Sequence, residues 1–274
     1  MSSQFQTPAL PLVERTADQA FLDEKRADNR KTVFFHACGI LIAILLWWAC
    51  SFSLSKEFRG FAPVPTLEAL GGLVGTSMFW HSVLDTMARL LGGLAVSILV
   101  GVPTGILIGY FRRASELTQT LFQFLRMISP LSWMPIAIIL FGVGAAPVYF
   151  LVAIAAVWPI IINTAHGVEK VDQTWIKVAQ TLGGKGWGIV LRVLIPAIMP
   201  DILTGIRLAL GVAWIVIVPA EMLGVASGLG YSILNYRDVT DYSSLMAIIV
   251  IIGILGYTSD ALLRVLQRKY AWVA

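Results

Sequence analysis

The sequence predicts an all-α, polytopic membrane protein with about six transmembrane helices. Three observations carry that prediction. The chain is 57% hydrophobic and only 13% charged, where a soluble domain carries about 25% charged residues, and its mean hydropathy is +0.79. Five or six apolar segments are long enough to cross about 30 Å of hydrocarbon; they fall at 33–54, 84–111, 120–141, 147–165, 202–223 and 245–263. The charges flank these segments instead of gathering into a basic surface, so the net charge of +4 reads as lipid anchoring and argues against a nucleic-acid partner.

Residues 1–32 hold five acidic and five basic residues and lack the form of a cleavable signal peptide. They read as a cytoplasmic N-terminal tail. Two readings of that tail stay open: an interfacial helix with Leu12, Val13, Ala17, Ala20 and Phe21 along one face, or a disordered segment. The first transmembrane helix, 33–54, contains both cysteines, Cys38 and Cys50. Twelve helical residues hold them about 18 Å apart, too far for a disulfide, which needs its Cα atoms within about 7 Å.

The second segment carries Gly93, Ser97, Gly101, Gly105 and Gly109 in "GLAVSILVGVPTGILIG". At a four-residue repeat they form one small-residue stripe about 24 Å long on a helix. Such a stripe lets membrane helices approach closely, either within one chain or at an interface between subunits. Pro103 in its middle predicts a kink. In the third segment "SPLSWMP" (129–135) carries two prolines, which kink or break a helix.

Orientation follows from Lys and Arg. With the N-terminus inside, fourteen fall in the cytoplasmic stretches 1–32, 112–113, 170–192 and 264–269, against Lys56, Arg59 and Arg237 outside. Both termini are therefore expected in the cytoplasm.

Several chemistries leave no trace. Lys185 in "GGKGWG" lacks the spacing and the hydroxyl of a phosphate loop, and no H-E-x-x-H, paired C-x-x-C or G-x-S-x-G is present. His36, His81 and His166 are scattered over separate segments, so no metal site is expected. With no clustered nucleophile or acid–base set, the chain is not expected to be an enzyme or to carry a cofactor. If transport here draws on ATP, the ATP and Mg must sit on another polypeptide.

One polar stretch interrupts the apolar ones. "VDQTWIKVAQTLG" predicts a short amphipathic helix capped by Asp172, with Trp175, Val178, Ala179 and Leu182 at helical spacing. Gly183, Gly184 and Gly186 stop it. A second helix, "WGIVLRVLI", is expected to end at Pro196, with the next span entered near Asp201. The pair suits docking into a groove on a partner.

This stretch resembles the coupling motif of bacterial ABC-importer permeases: E-A-A, then x-x-x-G, then a hydrophobic-x-Leu-Pro ending. Lys177, Val178 and Ala179 occupy the E-A-A positions, Gly183 the glycine, and Val193 to Pro196 the ending. Lys177 replaces Glu and Val178 replaces the first Ala, so the charge of the contact stays open. The resemblance runs over about 80–270 and implies a type I importer-like permease core that includes a cytoplasmic coupling loop, 170–196. It further implies that Lys177, Val178, Ala179, Gln180, Thr181, Leu182, Gly183, Gly184 and Lys185, with Pro196, engage an ATPase. The implied partners are two ATP-binding cassette ATPase subunits, a periplasmic or lipid-anchored substrate-binding protein, and a second permease copy, by default a homodimer in the inner membrane. ATP-driven closure of the ATPases would rock the permeases between inward- and outward-facing states.

Four further stretches, "ISPLSWMPIAIILFGVG", "VWPIIINTAHGV", "LTGIRLALGVAWIVIVPAEML" and "GLGYSI", resemble the nitrate, bicarbonate, cyanate, taurine and aliphatic-sulfonate branch. "VWPIIINTA" and "AEML" are most similar to the nitrate-type permeases. Arginine suits such anions because its fork donates two parallel hydrogen bonds. Arg89, Arg126 and Arg207 lie in or at the edge of spans, where charge is costly and tends to be functional. Each has an alternative: Arg89 and Arg126 could pair with Asp85 and Glu116 or snorkel, and Arg207 could reach the interface. Glu221 either partners an arginine or caps the "GLGY" segment, and Asn163 after Trp158 offers neutral hydrogen bonds. These five residues are the candidate substrate path. The competing function, a secondary transporter or channel working alone, would leave the polar helix pair without a purpose and shows no pair of matching interrupted spans.

Overall fold

The computed structural model describes residues 35, 38–39, 41–51 and 56–270. The expected tail over 1–32, and part of the expected first span over 33–54, lie outside the described residues. The chain divides into two compact units, residues 1–65 and 66–274. In the first, a short apolar helix α1 (Leu41–Ser51) exposes Leu41, Ile42, Leu45 and Leu46. The indole N–H of Trp47 donates to the Phe61 carbonyl at 2.8 Å, tying α1 to a 3-10 turn at Lys56–Phe61. Cys38 and Cys50 are free. Helix α2 (Pro63–Val74) leads on into the second unit.

In that unit the described residues form helices and turns only: α3 (Ser77–Tyr110), α4 (Arg112–Met127), a 3-10 turn Pro130–Trp133, α5 (Met134–Phe141), α6 (Ala145–Lys170), α7 (Gln173–Thr181), α8 (Trp187–Ile189), a π-turn Val190–Leu194, α9 (Ile195–Gly224), α10 (Leu229–Asp238) and α11 (Tyr242–Tyr270). Four stretches are long and apolar enough to cross a membrane: Ser77–Tyr110, Ala145–Lys170, Trp187–Gly224 and Tyr242–Arg268. They contain the expected spans 147–165, 202–223 and 245–263, and all but the last residue of 84–111. The fifth, 120–141, is a pair bent by 86°, Ser115–Met127 and Pro130–Phe141. The cause is local. A proline disfavours the α conformation at the residue before it, and Ser129, before Pro130, leaves it with ψ 127.

The expected helix end at Pro196 is corrected. Trp187 to Gly224 is one continuous helical stretch of 38 residues. A proline inside an α-helix clashes with the carbonyl four residues back. Here the turn before it widens, and the Ile195 N–H reaches five residues back to the Val190 carbonyl. The π-turn makes room for the Pro196 ring, so the helix runs on.

The core of the unit lies among α3, α6 and α9, where Leu90, Leu94, Leu151, Val152, Ile160, Leu210 and Ile217 are buried together. Packing of the small-residue stripe of α3 against α6 of the same chain decides between its two readings. A Cβ on Gly93 would stand 2.7 Å from the Val152 Cβ, one on Gly101 2.9 Å from Ile160, and one on Gly105 2.6 Å from the Thr164 Cβ. Carbon atoms in contact prefer about 3.5–4.0 Å. Ser97, the non-glycine member, donates across the seam to the Ala153 carbonyl at 2.9 Å. Pro103 sits inside α3, which continues as one helix through it.

Candidate functional site

Three constellations gather the polar side chains of the second unit. The first is the segment between α6 and α9. Asp172 caps α7, accepting from the Thr174 N–H at 2.8 Å. That backbone hydrogen bond, with one from the Thr174 side chain, holds the Asp172 carboxyl below its ordinary value. At the other end Gly183 takes φ +84, and the Gly184 N–H returns to the Ala179 carbonyl at 2.9 Å, closing the helix in the left-handed manner that glycine permits. Ile176 is buried, whereas Trp175, Val178 and Leu182 are 57%, 53% and 83% exposed. The apolar ridge of α7 thus points away from its own chain. Lys177 and Lys185 are exposed beside it, as is Trp187 at the start of α8. At the base of the segment Lys170 meets Asp201 at 3.2 Å, joining the end of α6 to α9.

The second is a buried ionic network. Arg89 on α3 donates to Glu221 on α9 at 2.6 Å and to the Ser227 carbonyl at 2.9 Å, and its second nitrogen reaches the Ser227 hydroxyl. Glu221 also accepts from the Thr86 hydroxyl at 2.9 Å and from the Gly230 N–H at 2.9 Å. The Thr86 oxygen in turn accepts from the Leu229 N–H at 2.8 Å. Both alternatives for Glu221 are therefore realised at once: it partners an arginine and caps "GLGY" at the start of α10, where free N–H groups favour a negative charge. Asp85 adds a longer contact to Arg89 at 3.5 Å.

The third is a cavity of about 760 Å³ against α6, lined by Arg126, Asn163, Trp133 and Trp158 among apolar residues. Asn163 donates one amide N–H to the Pro159 carbonyl at 2.8 Å. Of the five residues expected on a substrate path, Arg126 and Asn163 share this cavity. Arg89 and Glu221 share the ionic network, and Arg207 belongs to neither. Arg207 donates to Asp260 on α11 at 2.7 Å, and Arg264 meets the same carboxylate at 2.8 Å. Arg126 forms no ion pair with Glu116. Thr86, Ser227 and Asp260 were not anticipated. Asp260, a carboxylate inside an apolar span, carried a legible signal; Thr86 and Ser227 look like ordinary small polar residues until the fold brings them to Arg89. Among the described residues no three His, Cys, Asp or Glu side chains stand close enough to hold a metal ion.

A bundle of apolar spans, with a capped hairpin that turns its apolar ridge outward, is the build of a permease subunit. The chain belongs to the family described as binding-protein-dependent transport system inner membrane component, which it matches over residues 101–272. It is 39% identical over 200 residues to a putative ABC transporter permease protein of Methanocaldococcus jannaschii, covering 73% of this chain and 75% of that one. A bicarbonate transport system permease protein of Synechococcus elongatus is 34% identical over 84% of this chain and 86% of its own. A taurine transport system permease protein of Escherichia coli is 28% identical over the same shares. Among solved structures, the inward-facing MetNI methionine ABC transporter matches with TM-score 0.60 at 18% identity, over 72% of this chain and 98% of that one. A bacterial ABC transporter importing the acidic polysaccharide alginate matches with TM-score 0.57 at 16% identity, over 94% and 99%. At those identities the likeness is one of fold: the fold is that of importer permeases.

Proposed function

We propose that this chain is the membrane subunit of an ATP-driven importer that carries a small oxyanion, such as nitrate, bicarbonate, cyanate or a sulfonate like taurine, across the inner membrane by alternating access. The observation that carries the driving mechanism is the outward ridge of Trp175, Val178 and Leu182 on α7. An apolar ridge on a short helix is costly in water and is the kind of surface that enters a groove on a partner. That partner is a separate ATPase pair, which binds the ATP and Mg. Residues Lys177 to Lys185 insert into it, and the π-turned run from Trp187 through Pro196 passes their displacement directly into α9. The termini lie in the cytoplasm with this hairpin, in keeping with the bias of Lys and Arg. A periplasmic or lipid-anchored binding protein delivers the anion on the opposite side, and a second copy of the chain completes the path. The bicarbonate and taurine permeases among the relatives support the choice of anion.

The test is uptake of labelled nitrate, bicarbonate and taurine by vesicles holding this chain with its ATPase and binding protein, with and without ATP. ATP-dependent accumulation of one of them is the expected result. Uptake by this chain alone, without ATP, would overturn the reading.

A further inference from the structure

Three cavities follow one another along α6 and share walls. The first, of about 760 Å³, meets a second of about 420 Å³ at Arg126 and Ile162, which line both. The second meets a third of about 520 Å³ at Ser115 and Glu169. From Ile154 to Glu169 the series follows roughly 22 Å of helix axis and ends beside Ile176 of α7.

The chemistry of the walls changes along the way. Arg126 is the single charged residue on the first cavity, and among the described residues nothing hydrogen-bonds or ion-pairs with its guanidinium. The indole N–H groups of Trp133 and Trp158, on the same wall, likewise have no acceptor among the described residues. Asn163 has given one amide N–H to Pro159 and keeps the other. This is a pocket of the size small molecules occupy, with one positive charge and several unspent donors among apolar side chains. Past Arg126 carboxylates enter the walls: Glu116 and Glu169 line the last cavity, where Glu169 accepts from the Ser115 hydroxyl at 3.2 Å and stands 3.5 Å from the His166 ring. Unlike Arg126, Arg89 and Arg207 are committed to Glu221 and Asp260.

We infer that Arg126, with Asn163 and the indole N–H groups of Trp133 and Trp158, forms a transit site for a small oxyanion at the neck of a half-channel along α6, with Glu116 and Glu169 at the mouth disfavouring the anion's return. The inference rests on the reading of the chain as an oxyanion importer. A planar or tetrahedral oxyanion takes two parallel hydrogen bonds from the guanidinium fork, and the apolar walls strengthen them by excluding water. At the mouth two carboxylates lower the local concentration of anions on the side of release.

Two measurements on the full transporter test it. The first needs no substrate. With Cys38 and Cys50 replaced by serine, Ile162→Cys, or Leu208→Cys as a second position on the wall, is labelled with an anionic sulfonatoethyl and a cationic trimethylammonioethyl methanethiosulfonate. Adding Arg126→Gln is expected to lower the anion-to-cation rate ratio about tenfold. An unchanged ratio at both positions would overturn the transit site and leave the importer reading standing. The second is uptake of labelled nitrate, bicarbonate and taurine. Arg126→Gln is expected to lower uptake of the carried anion about tenfold to a hundredfold in complexes that co-elute intact, and Arg126→Lys to raise KM severalfold while sparing the maximal rate. Wild-type uptake by Arg126→Gln would overturn the site alone. A wild type that carries none of these three anions, nor cyanate or another sulfonate, would overturn the oxyanion reading and the site with it.

Discussion

The Arg89 guanidinium and the Glu221 carboxylate meet at 2.6 Å across 132 residues of chain. Glu221 is fully buried and Arg89 nearly so. Together they join α3 to α9 and, through Ser227 and Gly230, fix the start of α10. Removing one member of such a pair strands the other and costs about 3–5 kcal/mol. Glu221→Leu is expected to lower the thermal unfolding temperature in detergent more than Arg89→Leu, because it also strips the acceptor from Thr86 and Gly230. The double variant is expected to be no worse than Glu221→Leu alone, since the two losses are of one interaction. Independent, additive losses would remove the network as the tie among these helices.

Gly183 sits at φ +84 with open space where a Cβ would stand. Its constraint is therefore the backbone rather than crowding inside the chain. Gly183→Asn, which tolerates that conformation, is expected to keep most uptake. Gly183→Arg is expected to abolish uptake while the protein still inserts, through strain of about 1–2 kcal/mol at the turn and bulk presented to the proposed ATPase partner. Uptake by the arginine variant at normal expression would contradict the role given to the hairpin.

Asp172 anchors the first turn of α7. Its carboxyl is held below the ordinary value by the Thr174 N–H, so the cap contributes above the unfolded-state pKa and is lost as the pH falls through the depressed folded value. The protection of the α7 amides, measured relative to their intrinsic exchange rate at each pH, is expected to be constant around neutrality and to fall only in strong acid. Asp172→Ala is expected to lower that protection around neutrality, where the wild-type cap is present, and to lower uptake, while leaving the span helices protected. An α7 unaffected by the substitution would mean the helix is held by packing alone.

Arg207 and Arg264 share Asp260, and this predicts an asymmetry. Arg207→Ala leaves Arg264 on the carboxylate and is expected to lower detergent-stable protein and uptake in parallel, by a modest factor. Asp260→Ala leaves two guanidinium groups without their partner and is expected to lower both further. Uptake falling far more than folded protein in Arg207→Ala would place this arginine on the anion's path.

The spans, their order and the proline break at 128–130 were legible because hydropathy and proline act locally. The capped, glycine-stopped α7 was legible for the same reason: Asp172 and Gly183 lie within one or two turns of what they shape. The continuity of α8 into α9 was not, because a π-turn is a rearrangement of carbonyl partners that no residue at 190–194 announces. Nor could sequence sort the three intramembrane arginines. Arg89 and Arg207 find carboxylates 132 and 53 residues away, and only the packed fold decides that Arg126 finds none among the described residues.

The glycine stripe has a mechanical side. At Gly93, Gly101, Gly105 and Gly109 α3 adds no side chain to the seam, and the α6 side chains met there, Val152, Ile160, Thr164 and Val168, are β-branched and stiff, so the two helices have little that is soft to compress. Close-packed surfaces of that kind transmit displacement instead of absorbing it. A push arriving at the α6 end of the hairpin therefore reaches α3 almost undiminished, and the pair travels as one strut. The give that any cycle of opening and closing needs must come from elsewhere in the subunit: from the bent seam between α4 and α5, and from the glycine-turned corners at Gly142 and Gly144, which stand in open space.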